Sequence, residues 1–270
     1  MADNGCVTPQ PLRRPAGGSE TRAANRSWWD TDAPAYYAEH GGFLGDDEFV
    51  WGPEGWTEDD LGLLGGVAGR DLLEIGCGGA QCARWVRAHG GRVVGTDLSR
   101  GMLATALRLN GGSPHPVPLA QCDAVALPFE DGSFDVIYAA YGAVPFVADS
   151  AGLVAEAARV LRPGGRFVFS TSHPIRWAFP DDPGAAGLTA TMSYFDRTPY
   201  VEVDESGDAA YVEHHRTIGD RVRELVAAGL VLEDIVEPEW RAGNTDIWGG
   251  WSPTRASFIP GTAIFVCTRR

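Results

Sequence analysis

The sequence predicts an α/β protein built on one seven-stranded, mostly parallel sheet with helices on both faces. Three observations carry that expectation. From residue 70 onward, short apolar runs alternate with amphipathic stretches in a repeating strand–helix–strand order. The runs are rich in Leu, Val, Ile and Phe, with little of the alternation that a half-wet sheet shows. A glycine-rich turn, G-C-G-G-A at 76–80, follows the first run directly and opens a helix. In an open α/β sheet such a turn lies at the carboxyl edge, where ligands bind.

The elements follow in order. Residues 1–25 are rich in Pro, Gly, Asn and Arg without periodicity and read as a disordered tail. Residues 26–66 read as an N-terminal helical cap. Its aromatic stretch S-W-W-D-T-D-A-P-A-Y-Y-A-E-H-G-G-F places a helix start at Pro34 and an end at Gly41-Gly42, and Thr57 opens a second helix over 57–65. The core spans 67–172 and 216–270. Its strands are expected at 71–75, 92–96, 117–121, 134–139, 166–171, 230–236 and 262–268. Its helices are expected at 80–89, 99–109 behind Ser99, 149–161 ahead of L-R-P-G-G, and 217–228 ahead of Gly229. Residues 173–215 break the rhythm after the fifth strand and hold a hairpin turned at Ser206-Gly207, read as a substrate-side lid. An irregular loop at 237–261 carries three tryptophans, and long loops in compact domains are more often functional than idle.

Composition narrows the partners. Thirty-six acidic residues against 22 Lys and Arg leave a formal charge of −14, and no basic run appears, which argues against nucleic acid. The five cysteines are scattered without a C-x-x-C pair, as expected of a reduced, cytoplasmic protein. No apolar stretch approaches the roughly 18 residues of a membrane span, and the first residues lack a signal-peptide core. The expectation is a soluble chain with no membrane partner, no metal and a small-molecule ligand.

The chemistry centres on the glycine turn. Gly76, Gly78 and Gly79 let the backbone approach a ligand closely, and the following helix aims free amides at it. Alone this pattern fits a pyrophosphate cradle, another nucleotide-like cofactor or a plain turn. The third glycine of G-x-G-x-x-G is missing. Glu74, two residues ahead of the turn, would repel a pyrophosphate and suits a ligand with an ammonium group or positive charge. Asp97, ending the second strand, is placed to accept bonds from ribose hydroxyls. Asp123, after the third strand, could accept from an adenine amino group while the next amide donates to the ring.

The ordered set E-I-G-C-G-G-A, T-D-L-S, C-D-A-V-A-L-P-F, S-F-D-V-I-Y and V-L-R-P-G-G-R-F-V-F resembles the class I S-adenosylmethionine-dependent methyltransferases. It is most similar to their ubiquinone/menaquinone-biosynthesis-like, small-molecule branch. The resemblance is strong over 67–172 and continues weakly beyond. It implies a Rossmann-like sheet with S-adenosyl-L-methionine as cofactor. Glu74, Gly76, Cys77 and Gly78 would face the methionine part and Asp97 the ribose. Leu98 and Met102 would flank the adenine, Asp123 and Ala124 would read its edge, and Ala140 would lie beside the sulfonium. Tyr36 or Tyr37 would close over the cofactor from the cap. Ala80, where the family has glycine, is a departure.

The implied function is in-line methyl transfer to O, N or C of a small apolar or aromatic metabolite. One alternative is a cofactor-binding enzyme of the same fold that cyclises, isomerises or decarboxylates. Another is a nicotinamide-dependent oxidoreductase, against which Glu74 and the missing glycine argue. His173 follows the fifth strand and His215 the lid, and both read as candidate catalytic bases, against the plainer reading of histidines tied to backbone. Cys77 and Cys82 read chiefly as packing, with Cys77 open to a lowered thiol pKa at a helix start. Tryptophans 28, 29, 51, 177, 240, 248 and 251 crowd the segments around the cleft and suggest an aromatic substrate pocket.

Overall fold

The computed structural model describes residues 10–270. Strands β1 (Gln10–Arg13), β2 (Asp71–Ile75), β3 (Arg92–Asp97), β4 (Leu119–Gln121), β5 (Phe134–Ala139), β6 (Leu161–Ser172), β7 (Tyr200–Val203), β8 (Ala209–Glu213), β9 (Leu230–Val236) and β10 (Thr262–Arg269) form two sheets. The larger has the order β4-β3-β2-β5-β6-β10-β9. Its first five strands run parallel, and β10 is antiparallel to both β6 and β9. The fold class therefore matches the expectation, and the strands fall within a residue or two of their expected limits except β6, which begins five residues early, at Leu161.

Helices α1 (Gly18–Leu44), α2 (Glu58–Leu61), α3 (Gln81–Ala88), α4 (Arg100–Asn110), α5 (Ser150–Val160), α6 (Ile218–Ala227) and α7 (Pro253–Ala256) complete the chain. Strand alternation divides the core. Leu73, Ile75, Ile137, Phe167 and Phe169 pack with Leu153 and Ala157 of α5 and Leu225 of α6. Leu72, Val136, Tyr138 and Val168 face the other way, onto Cys82, Ala83 and Val86 of α3 and Leu103 and Ala106 of α4. Both faces are dry, as continuous apolar strands require.

The smaller sheet has the order β1-β7-β8, all antiparallel. The hairpin turns at Gly207 (φ +86°), as its Ser-Gly signal predicts. Its pairing with β1 was not expected. Residues 10–13 and 18–25 fall in the stretch read as a disordered tail but form strand and helix, because β1 finds β7 and Ala16 and Ala24 pack on Val201 and Val212. The remainder of that stretch, 1–9, lies outside the described residues.

Helix α1 also runs straight through Pro34 rather than starting there. Proline has no N–H, so the Asp30 carbonyl loses its usual helical partner. That carbonyl lies against Gly101, where a Cβ would sit 2.3 Å from it. Gly101 is therefore what lets α1 cross α4 so closely. No helix among the described residues is long and apolar enough to cross a membrane.

Candidate functional site

The cleft opens at the carboxyl ends of β2, β3 and β5, where β3 and β5 lie on opposite sides of β2 and their connections part. It has a volume of about 590 Å³. All eleven residues assigned to the cofactor line it: Tyr37, Glu74, Gly76, Cys77, Gly78, Asp97, Leu98, Met102, Asp123, Ala124 and Ala140, together with Tyr36.

Gly76 takes φ +70°, and a Cβ there would meet the Ala143 Cβ at 2.9 Å and its nitrogen at 3.1 Å. The turn must therefore begin on glycine. Ala80 adopts φ +60° as the residue capping α3, so the departure from glycine is accommodated in a left-handed conformation. Glu74 is 2% exposed, and its carboxylate has one close partner, the Tyr138 hydroxyl at 3.3 Å. Burial pushes its pKa up to about 8, against the weaker pull of Tyr138 and of Arg84. Arg84 makes no ion pair with Glu74; its Nε donates to the Asp46 carbonyl at 2.7 Å and to Asp47 at 3.1 Å, and its Nη1 and Nη2 have no partner among the described residues. A buried carboxylate in no ion pair fits the ammonium of a methionine moiety.

Asp97 joins two loops. Gly78 N–H donates to its Oδ2 at 2.9 Å and Ser99 N–H to its Oδ1 at 2.8 Å. Burial raises its pKa, and those two amides oppose the rise. Each oxygen keeps a further lone pair for a ribose hydroxyl. Asp123 accepts from Val125 N–H at 3.2 Å and is ion-paired with Arg22 of α1. Cys77 and Cys82 are buried and burial raises both thiols well above their usual range, so Cys77 packs rather than reacts. The residues present thus fit S-adenosylmethionine at the methionine, ribose and adenine ends.

The two histidines do not join this set, which corrects the reading of them as bases. Side chains alternate along β6, so Ser170 and Ser172 turn towards Tyr141 and the cleft while His173 turns away. Its Nδ1 accepts Ile175 N–H at 3.0 Å, and its Nε2 lies 2.8 Å from the Glu237 carboxylate. His215 donates from Nε2 to the Tyr194 carbonyl at 2.7 Å and packs between Trp177 and Tyr194. Burial takes it down to about 4. Neither lines the cleft.

The structure adds residues that the sequence reading missed. Asp30 of α1 accepts from Ser99 Oγ at 2.7 Å and Gly101 N–H at 2.9 Å, holding the start of α4. Tyr141, directly after Ala140, takes φ +64°, with its N–H on Ser170 Oγ at 2.8 Å and its hydroxyl 3.2 Å from Ser172 Oγ. A left-handed non-glycine residue is strained and is commonest at functional sites. Opposite it, Tyr200, Glu202, Tyr211 and Glu213 of β7 and β8 line the cleft with Arg176 and Asp181. The alternation in Y-V-E-V and A-A-Y-V-E was the available signal, since Val201 and Val212 mark the other face. Trp28, Trp29, Trp248 and Trp251 line the cleft, whereas Trp51, Trp177 and Trp240 do not.

Comparison with known proteins agrees with this geometry. A family model described as a methyltransferase domain matches residues 73–169. A demethylmenaquinone methyltransferase of Thermus thermophilus is 37% identical over 145 residues, covering 53% of this chain and 62% of that protein. One of Lactococcus lactis is 35% identical over 124 residues, covering 44% and 49%. The chain thus spans about half to three fifths of the length of these relatives. The crystal structure of an S-adenosylmethionine-dependent methyltransferase from Mesorhizobium loti superposes with a TM-score of 0.64 at 29% identity, covering 81% of this chain and all of that one. By fold, domain and relatives, the chain is similar to the S-adenosylmethionine-dependent methyltransferases.

Proposed function

We propose that this protein transfers the methyl group of S-adenosylmethionine to a small-molecule acceptor held in the same cleft. The observation that carries the proposal is Glu74, a buried carboxylate in no ion pair among the described residues, beside the Gly76–Gly78 turn and in one cleft with Asp97. Glu74 would hold the ammonium, Asp97 the ribose, and Asp123 the adenine edge. The cofactor, when bound, supplies a methyl group on a sulfonium that is already a good leaving group. The chain's own part is alignment and exclusion of water, and alignment alone can contribute on the order of 7–11 kcal/mol.

Helix α1 and the 173–215 segment would cover the cleft as cap and lid. The aromatic residues Trp29, Tyr36, Phe146 and Tyr211 lie within edge-to-face distance of one another along this cover and would seat a flat acceptor. The demethylmenaquinone methyltransferases among the relatives make a quinol the first acceptor to try.

The test is incubation with methyl-labelled S-adenosylmethionine and a panel of acceptors that includes a naphthoquinol. Label is expected in the acceptor. Calorimetry on Asp97→Ala is expected to show S-adenosylhomocysteine binding weakened by about tenfold or more, the scale of a charge-assisted hydrogen bond. Unchanged affinity in that variant would overturn the ribose assignment, and acceptor turnover without incorporated label would overturn methyl transfer.

A further inference from the structure

The acceptor end of the cleft is charged in a way that a neutral quinol does not require. Tyr200, Glu202, Tyr211 and Glu213 stand on one face of the β7–β8 hairpin, in register as Tyr200 opposite Glu213 and Glu202 opposite Tyr211. All four line the cleft, as do Asp181 and Arg176. Arg176 donates to Glu213 at 3.0 Å and lies 3.4 Å from Asp181. Tyr211 donates to Glu213 at 2.7 Å, and Tyr200 donates to Glu202 at 2.7 Å. Arg176 therefore contacts two of the three carboxylates, with Arg255 also acting on Asp181 and Arg13 on Glu213, and Glu202 is left without an ion-pair partner among the described residues. Burial lifts the Glu202 carboxyl above its usual range, and the negative charges of Glu213 and Asp181 lift it further.

A second observation, independent of these acids, marks the same end as a binding surface. Trp251 lines the cleft and is 3% exposed, yet its indole N–H has no acceptor among the described residues. Its ring is braced from outside by Arg255, whose guanidinium carbon sits 4.3 Å from the ring centre. The neighbouring Gly250 backbone touches Asp181, since a Cβ there would lie 2.0 Å from Asp181 Oδ1. The Trp251 N–H is a free donor on an otherwise buried side chain, and a ligand atom in the cleft can accept from it. The Tyr36 hydroxyl, which also lines the cleft, is likewise without a hydrogen-bond partner among the described residues. Around these groups stand the faces of Trp29, Tyr36, Phe146 and Tyr211, and aromatic faces attract cations.

We infer that the acceptor is a small molecule carrying a protonated amine, which docks on the Glu202–Glu213 face of the β7–β8 hairpin. The inference rests on the methyltransferase reading for the identity of the site but concerns only what the acceptor carries. The ammonium pairs with Glu202, the carboxylate of this face that no guanidinium contacts. Trp251 and Tyr36 donate to oxygen or nitrogen atoms elsewhere on the same molecule.

Calorimetric titration tests this with probes of one shape and three charges: phenethylamine, 2-phenylethanol and 3-phenylpropionate, with menadiol as the quinol. Each is titrated into the protein with and without S-adenosylhomocysteine. Phenethylamine is expected to bind about tenfold tighter than the alcohol, the worth of one desolvated charge pair, and the carboxylate weaker than both. Glu202→Gln should erase that advantage while leaving S-adenosylhomocysteine affinity unchanged, and Asp181→Asn should reduce it. Equal binding of amine and alcohol, preference for menadiol or the carboxylate, or an amine preference untouched by both variants would overturn the inference. Failure of S-adenosylhomocysteine to bind would instead overturn the methyltransferase reading, because charge preference is also read on the protein without it.

Discussion

A carboxyl group that folding buries outside any ion pair holds its proton to higher pH, and Glu74 is such a group. In the folded chain its pKa rises from 4.5 to about 8 through burial. Between those values the native state holds a proton that the unfolded chain has shed, so this residue's contribution to stability falls as pH rises through that window. A bound ammonium favours the ionised form and reverses the preference. Binding of S-adenosylhomocysteine below about pH 8 is therefore expected to release a proton from Glu74 and to strengthen as pH approaches 8. Titrations in buffers of different ionisation enthalpy will count that proton, and Glu74→Gln should remove it while weakening binding by about tenfold or more. Proton release that persists in the variant would assign it to another group. Glu74 was legible in the sequence because a lone acid in L-L-E-I is conspicuous, and Asp97 because strand spacing fixes its distance from the turn. His173 and His215 misled because a histidine after a strand looks alike whether it faces a cleft or caps a turn.

Among the elements, α1 departs most from what its residues suggest. Pro34 reads as a start signal, yet here it sits mid-helix and frees the Asp30 carbonyl that abuts Gly101. The Asp30 side chain meanwhile holds Ser99 and Gly101 N–H at the start of α4. One residue thus uses backbone and side chain on the same neighbour. Gly101→Ala should push α1 off α4 and destabilise the protein by about 1–3 kcal/mol, the usual cost of an overpacked contact. Denaturant unfolding will measure that loss, and an unchanged midpoint would show that the crossing tolerates a methyl group. Such long-range compensation has no signature in local sequence, so β1, the first half of α1 and the Arg22–Asp123 pair went unread, whereas β2 to β6 followed from their own apolar runs.

At the scale of the molecule, one half of the cleft is contiguous in sequence and the other is gathered from three distant segments. The half proposed for the cofactor comes from 74–141 and was legible residue by residue; the other half joins α1, the 173–215 segment and Trp248 to Trp251, segments that the sequence marked as cap, lid and aromatic loop without giving the hairpin residues that line the cleft. His214 and His215 help bind these parts together. His214 Nε2 meets Thr21 Oγ1 of α1 at 3.0 Å, and His215 meets the Tyr194 carbonyl. Burial lowers both to about 4, helped for His214 by Arg216 and Arg221 and for His215 by Arg221, Arg13 and Arg197, although the Tyr194 carbonyl opposes the fall at His215. Their unfolded value is 6.5, so the unfolded chain binds the extra protons first and stability falls as pH drops from 6.5 through 4. Unfolding midpoints measured across that range should decline. The His214→Gln/His215→Gln double variant should show a flatter profile, and an equally steep one would place the acid sensitivity elsewhere.

The pairing of β1 with β7 has a consequence in time as well as in space. Gln10 meets Val203, and Arg13 meets Tyr200. During synthesis β1 emerges early and must wait, unpaired, until almost the whole sheet core has left the ribosome. Contacts so remote in sequence are also the slowest to close in a refolding chain. The side of the cleft lined by the β7–β8 hairpin is therefore closed by a contact that spans most of the chain.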